Sequence, residues 1–172
     1  MKKCFALVFA LFFAGCGYTT GSLLPSKYKT LFVEPFKNKI TYVSDTSHSL
    51  YIPLLESKVR ESIVDRFLFD GHLRISHQQQ ADLVLHGELT GYERQELRLT
   101  DNQDVQEFRI QITVSLTMDD MTTGNTFWTE PSFTGEATYF TTGPQAKSES
   151  AALQEALTDL SRRVVERTIE DW

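Results

Sequence analysis

Cys16 sits between Gly15 and Gly17, directly behind an apolar run at residues 5–14, in a chain of 172 residues. A thiol in that place can act as a nucleophile, a metal ligand or half of a disulfide, and its neighbours decide which. Other candidates for chemistry are sparse. The four histidines, His48, His72, His77 and His86, include no pair at the i, i+4 spacing that lets one helix face hold zinc. His72 and His77 lie five apart in a short extended stretch and so point to opposite sides. Neither a G-x-S-x-G elbow nor a glycine loop with a phosphate-binding lysine occurs. Asp119 and Asp120 precede Thr122, Thr123, Gly124 and Asn125, and read as turn formers rather than paired acid–base groups. The expectation is no enzyme, no catalytic residue, no metal and no cofactor. The enzymatic alternative is a hydrolase whose site is dispersed over scattered His, Asp and Ser residues.

The surroundings of the thiol are more specific. Lys2 and Lys3 form a basic head, residues 5–14 an apolar core, and Ala14, Gly15 and Gly17 a small-residue exit. That is the layout of a secretory signal. Crossing a bilayer takes about 20 apolar residues, and this run is too short. Phe13, Ala14, Gly15 and Cys16 resemble a bacterial lipobox, with Phe13 where leucine is usual. The resemblance implies removal of residues 1–15 and an S-diacylglycerol and N-acyl group on Cys16. Cys4 then leaves with the signal and Cys16 is consumed by lipid, so the mature chain is expected to hold no disulfide. Without Lys2 and Lys3, 15 basic residues face 23 acidic ones, a balance of −8. Such a charge excludes nucleic acid as a partner on global electrostatics.

Residues 17–28 (GYTTGSLLPSKY) read as a tether. The expected plan is a signal at 1–15, a lipidated tether at 16–28 and one domain at 29–172. Residues 29–36 predict a strand ended by Pro35. A helix is predicted over 47–70, with Leu50, Leu54, Leu55, Val59, Ile63, Phe67 and Leu68 as its apolar stripe. Pro53 places its start and Gly71 its stop. Residues 72–77 suggest a short strand. Residues 82–92 alternate, with Leu83, Leu85, Gly87, Leu89 and Gly91 on one face.

Residues 107–119 give the clearest pattern. Phe108, Ile110, Ile112, Val114, Leu116 and Met118 point one way, and Arg109, Gln111, Thr113, Ser115, Thr117 and Asp119 the other. Residues 126–140 predict a returning strand interrupted near Pro131. Residues 148–170 predict a second helix on Leu153, Ala156, Leu157, Leu160, Val164 and Ile169. The expected fold class is α+β: two long helices packed on one face of a mostly antiparallel, roughly four-stranded sheet, its other face polar. The connections 94–106 and 139–147 are expected as loops at one end, carrying Arg94, Arg98 and Lys147. A second cationic segment holds Lys27, Lys29, Lys37 and Lys39.

Taken in order, these segments resemble the lipopolysaccharide-assembly lipoprotein family LptE. The series runs through CGY at 16–18, LP at 24–25, KTLFVEPFKNK at 29–39, FLFDGHLRI at 67–75 and ADLVLHGELTGYER at 81–94. It continues through VQEFRIQITVSLTMDDMTTGNTFW at 105–128 and SFTGEATYF at 132–140, and ends with residues 148–172. The resemblance implies a helix pair on a four-stranded sheet and an outer-membrane lipoprotein facing the periplasm. It implies a plug in the lumen of the β-barrel LptD, helping that barrel assemble and place lipopolysaccharide in the outer leaflet. Carried over by loop position, it makes Arg98 and Lys147 candidates for contact with lipopolysaccharide. KTLFVEPFKNK also resembles the first strand of secretion-pore or peptidoglycan-synthase-activator lipoproteins, and a binding module of that type is the alternative.

Overall fold

The computed structural model describes residues 24–41 and 52–170; the signal, Cys16, His48 and Leu50 lie outside them. The elements in chain order are β1 (Thr30–Val33), β2 (Lys37–Asn38), α1 (Leu55–Asp70), β3 (Arg74–Ile75), β4 (Leu83–Leu99), β5 (Val105–Asp120), β6 (Asn125–Phe140) and α2 (Glu149–Ile169).

The alternation in residues 107–119 becomes the central strand β5. Ile110, Ile112, Val114, Leu116 and Met118 are completely buried, while the residues between them are half-buried. On each flank β5 pairs antiparallel, with β4 and with β6. Val59, Ile63 and Phe67 of α1 and Ala156, Leu160 and Val164 of α2 join these side chains in one apolar core. Fully burying each large side chain contributes about 1.5–3 kcal/mol, so this face decides where the helices lie.

The expected sheet of roughly four mostly antiparallel strands needs correction. Six strands form a mixed sheet in the order β3-β1-β4-β5-β6, with β2 also on β4. β1 pairs parallel with both β3 and β4, and β2 parallel with β4. Because α1 carries the chain from β2 to β3, a crossover replaces a hairpin, and the strand after it runs parallel to β1. β2 and β3 hold two residues each, too few to show any alternation.

Two further expectations change for local reasons. Leu54 and Leu68 do not join the stripe of α1 and are 65% and 59% exposed. Leu54 precedes the helix in a left-handed conformation, and Leu68 is turned about 100° from the buried Phe67. In β4 the inward set runs Leu83, Leu85, Gly87, Leu89 and then Tyr92, not Gly91. A bulge places the extra residue Thr90 between Leu89 and Gly91 and shifts the alternation by one. The interruption expected near Pro131 is there as a bulge of β6, an edge strand, where a missing N–H is tolerated.

α2 comes unusually close to β6 at Gly135. A methyl there would meet the Leu160 Cβ at 2.5 Å, the Ala156 carbonyl at 2.6 Å and the Leu160 Cα at 2.7 Å. α1 stops where expected, at a left-handed Gly71 whose N–H donates to the Phe67 carbonyl at 3.0 Å.

Two carboxylates clasp the N-terminal segment to the sheet. Asp120 is 4% exposed and accepts from the Tyr28 hydroxyl at 2.6 Å, the Thr122 hydroxyl at 2.6 Å and the Thr123 hydroxyl at 2.8 Å. Lys27 reaches it at 3.3 Å. Asp82 accepts from the N–H groups of Lys29 and Thr30 and from the Thr30 hydroxyl, all within 2.9 Å. Asp120 is thus a turn former with a second duty across the sheet. Burial pushes its carboxyl upward, but the hydrogen bonds from Thr122, Tyr28 and Thr123 outweigh that and hold it below the usual carboxylate range. The Lys29 N–H, aided by Thr30, does the same for Asp82 against a smaller burial effect.

Both carboxyls titrate lower in the folded chain than in the unfolded one. Their stabilisation is therefore complete at neutral pH and is lost as pH falls below about 4, where the unfolded chain takes up the protons first. Urea midpoints measured from pH 7 to pH 2 should decline through that window. Asp120→Asn should flatten the decline and lower the plateau at pH 7; an unchanged pH profile would rule out the clasp as its source.

Candidate functional site

At the end of the sheet away from the clasp, β4 gives way to β5 and β6 leads into α2. Sequence alone suggested a long loop at 94–106 there, but strand continues to Leu99 and resumes at Val105. The polar residues of this stretch conceal it, because a strand wet on both sides shows no apolar alternation.

Ser148 caps α2 by accepting the Ala151 N–H at 3.2 Å, which sets Glu149 in the first helical turn. A carboxylate there faces the positive end of the helix dipole. Three side chains converge on it: Tyr92 at 3.2 Å, Arg94 at 2.8 Å and Tyr139 at 3.3 Å. The Arg94 guanidinium also lies 4.8 Å above the Phe108 ring, which stacks on Tyr139 at 5.5 Å. Burial pushes the Tyr92 phenol far above its ordinary value, and the Glu149 charge pushes it further. The phenol therefore stays a donor to Glu149 at physiological pH. Arg94, a loop cation in the sequence reading, instead fixes the start of α2 to the sheet. Glu149 was missed; the only signal was an acid directly after a serine cap.

Arg98, in β4 rather than in a loop, and Lys147, beyond β6, lie at this same end of the sheet with β5 between them. Arg98 is opposite Glu107 in the sheet, Glu107 is opposite Phe140, and the Lys147 N–H donates to the Phe140 carbonyl at 3.1 Å. The Arg98 guanidinium lies 5.7 Å from the Phe140 ring centre and 3.7 Å from Glu107, and its side chain is 59% exposed. Lys147 pairs with Glu155. Each cation thus has a carboxylate beside it, with Asp101 and Asp104 in the turn between β4 and β5. Exposed pairs of this kind contribute about 0–1 kcal/mol, so an anionic ligand can compete for either cation at little cost.

The other cationic segment divides. Lys27 is committed to Asp120, and Lys37 and Asn38 form β2. The described histidines go separate ways. His72 pairs with Asp70 at 2.8 Å, and His86 lies between Glu34 at 2.7 Å and Asp119 at 3.2 Å. Among the described residues no three His, Cys, Asp or Glu side chains converge as metal ligands.

A family model described as LptE, lipopolysaccharide-assembly, matches residues 28–168. The chain belongs to the LptE family. The LptE match opens on Tyr28 of the clasp and spans both Arg98 and Lys147. No curated protein matches the chain by sequence. Among solved structures, a Xanthomonas campestris protein aligns with a TM-score of 0.55 at 14% identity, over 83% of this chain and 87% of its own. An uncharacterized lipoprotein B from Nitrosomonas europaea aligns at 0.53 and 10% identity, over 85% and 84%. A minor lipoprotein from Acinetobacter baumannii aligns at 0.50 and 21% identity, over 82% and 90%. At such identities the likeness is one of fold.

Proposed function

We propose that this LptE-family chain is an outer-membrane lipoprotein, anchored through lipid on Cys16. In this reading it forms a complex with the β-barrel LptD, plugs its lumen, assists its assembly and helps insert lipopolysaccharide into the outer leaflet. The observation that carries the reading is the family match across residues 28–168. The architecture suits it: a sheet face of Arg109, Gln111, Thr113, Ser115 and Thr117 can meet the polar interior of a barrel. Purification of tagged full-length protein from gently solubilised outer membranes should bring down a large β-barrel protein. Recovery without any barrel sinks the reading.

Arg98 and Lys147 are proposed as the contact with lipopolysaccharide phosphate or carboxylate groups. Replacing both with aspartate should weaken lipopolysaccharide binding several-fold at low salt and much less at high salt, since screening already weakens exposed charges there. Equal binding at low salt leaves them as solvated charges.

A further inference from the structure

The point where the N-terminal segment joins the domain decides which end of the sheet lies nearest Cys16. The Leu24 N–H donates to the carbonyl of Ile169, the last residue of α2, at 3.2 Å. Lys27 and Tyr28 then hold the segment on Asp120, the last residue of β5. Leu24 is eight residues on from Cys16, a stretch that reaches at most about 29 Å when fully extended. A lipid on Cys16 therefore keeps the clasped end of the sheet close to the bilayer that holds it.

Main-chain bonds tie that end into one row. The Met121 N–H donates to the Asp82 carbonyl at 2.9 Å, the Lys29 N–H to the Asp82 carboxylate at 2.8 Å, and the Arg74 N–H to the Lys29 carbonyl at 2.9 Å. Met121 just past β5, Lys29 just before β1 and Arg74 at the start of β3 thus stand side by side. The last turn of α1, which leads into β3, adds Leu68 and Phe69.

Leu68, Phe69 and Met121 are 59%, 80% and 54% exposed, so the core does not account for them. Exposed apolar side chains gathered at one end mark a contact surface. Lys29 and Arg74 are exposed too, and neither side chain pairs with a described carboxylate. The acids along the row already have donors: Asp82 and Asp120 in the clasp, Asp70 from His72 at 2.8 Å, and Asp119 from the Thr126 hydroxyl at 3.0 Å. Apolar side chains among unpaired cations suit the boundary between lipid phosphates and acyl chains. We propose that the clasped end docks on the surface of the bilayer that carries the Cys16 lipid. Leu68, Phe69 and Met121 enter the acyl boundary, and Lys29 and Arg74 meet lipid phosphates. Weak contacts suffice to orient the domain, because the lipid already holds it at high effective concentration. The docking rests on lipid at Cys16, and it turns the pole of Arg98 and Lys147 away from that surface.

The test uses the mature chain purified from membranes and reconstituted in vesicles of phosphatidylethanolamine and phosphatidylglycerol. Single variants Leu68→Cys and Met121→Cys carry an environment-sensitive fluorophore at the clasped end. Leu99→Cys is the control at the other end, where the native leucine is similarly exposed at 51%. Quenching is read from a nitroxide on the lipid just below the headgroup. Docking predicts at least about threefold more quenching at Leu68→Cys and Met121→Cys than at Leu99→Cys. Adding Lys29→Glu and Arg74→Glu should cut the quenching at Met121→Cys by about twofold or more. The melting temperature of each variant shows that the fold persists. Wild type should take no label, because Cys4 is removed and Cys16 is consumed. A wild type that takes label and lacks acyl mass overturns the Cys16 reading and the docking together. A lipidated chain quenched equally at both ends, unquenched at Met121→Cys, or indifferent to the double glutamate change overturns the docking alone. So does a fluorescence shift at Met121→Cys that grows with protein concentration and ignores the nitroxide, which marks a second copy as the occupant.

Discussion

A Cys16→Ser variant should retain residues 1–15, run heavier than the processed wild type and take up no labelled fatty acid. Serine keeps the size of the side chain but replaces a thiol that ionises near pH 8.5 with a hydroxyl that essentially never does, so the lipid acceptor is lost. The effect on anchoring should be large. Each buried acyl methylene contributes about 0.8 kcal/mol, one chain alone holds a protein only marginally, and two or more anchor it stably. Fatty-acid label persisting on the serine variant would falsify the assignment of Cys16.

Gly135→Ala should be the most damaging single-methyl change in the sheet. The new Cβ would collide with the helix backbone itself, at the Ala156 carbonyl and the Leu160 Cα, and not with a side chain that can swing aside. Overpacking of this kind costs about 1–3 kcal/mol, occasionally more. At about 3 kcal/mol the melting temperature of a chain this size falls by roughly 6–12 °C. Gly91→Ala is the control. Its nearest neighbour is the Thr113 Cβ at 3.3 Å, so a small shift suffices and the loss should be much smaller. Equal losses at the two positions would show that backbone freedom, rather than the seat of α2, is what Gly135 provides.

These two sites differ in how readable they were. Cys16 announces itself, because an apolar run and small residues are local features. Gly135 carries no such mark; its meaning comes from a helix residues later in the chain that lands on it. The same division holds through the fold. The stripes of α1 and α2 and the alternation of β5 were legible because burial on one face repeats with a fixed period. Gly91 was assigned to the wrong face because the Thr90 bulge shifts the period without changing residue type. β3 falls inside the short strand expected at 72–77, whereas β2 was unreadable as a strand, being set by the partner it meets. At the candidate site, Arg98 and Lys147 were placed at one pole correctly from their positions in the chain. Their carboxylate partners, and the capture of Arg94 by Glu149, required the register of β4, β5 and β6.

The clasp at Asp120 and Asp82 fixes where force can enter the molecule. A pull on the N-terminal side of Leu24 would be shared between these two carboxylates and the hydrogen bond from the Leu24 N–H to the Ile169 carbonyl at 3.2 Å. All of these lie at one end of the sheet. β5 holds 16 residues, and at about 3.4 Å per residue it puts the other end roughly 50 Å away. Load would therefore pass into the clasped end as a set of bonds strained in parallel, and the far pole with Arg98 and Lys147 would carry no tension. The sheet works as a stiff spar, braced at its root and free at its tip.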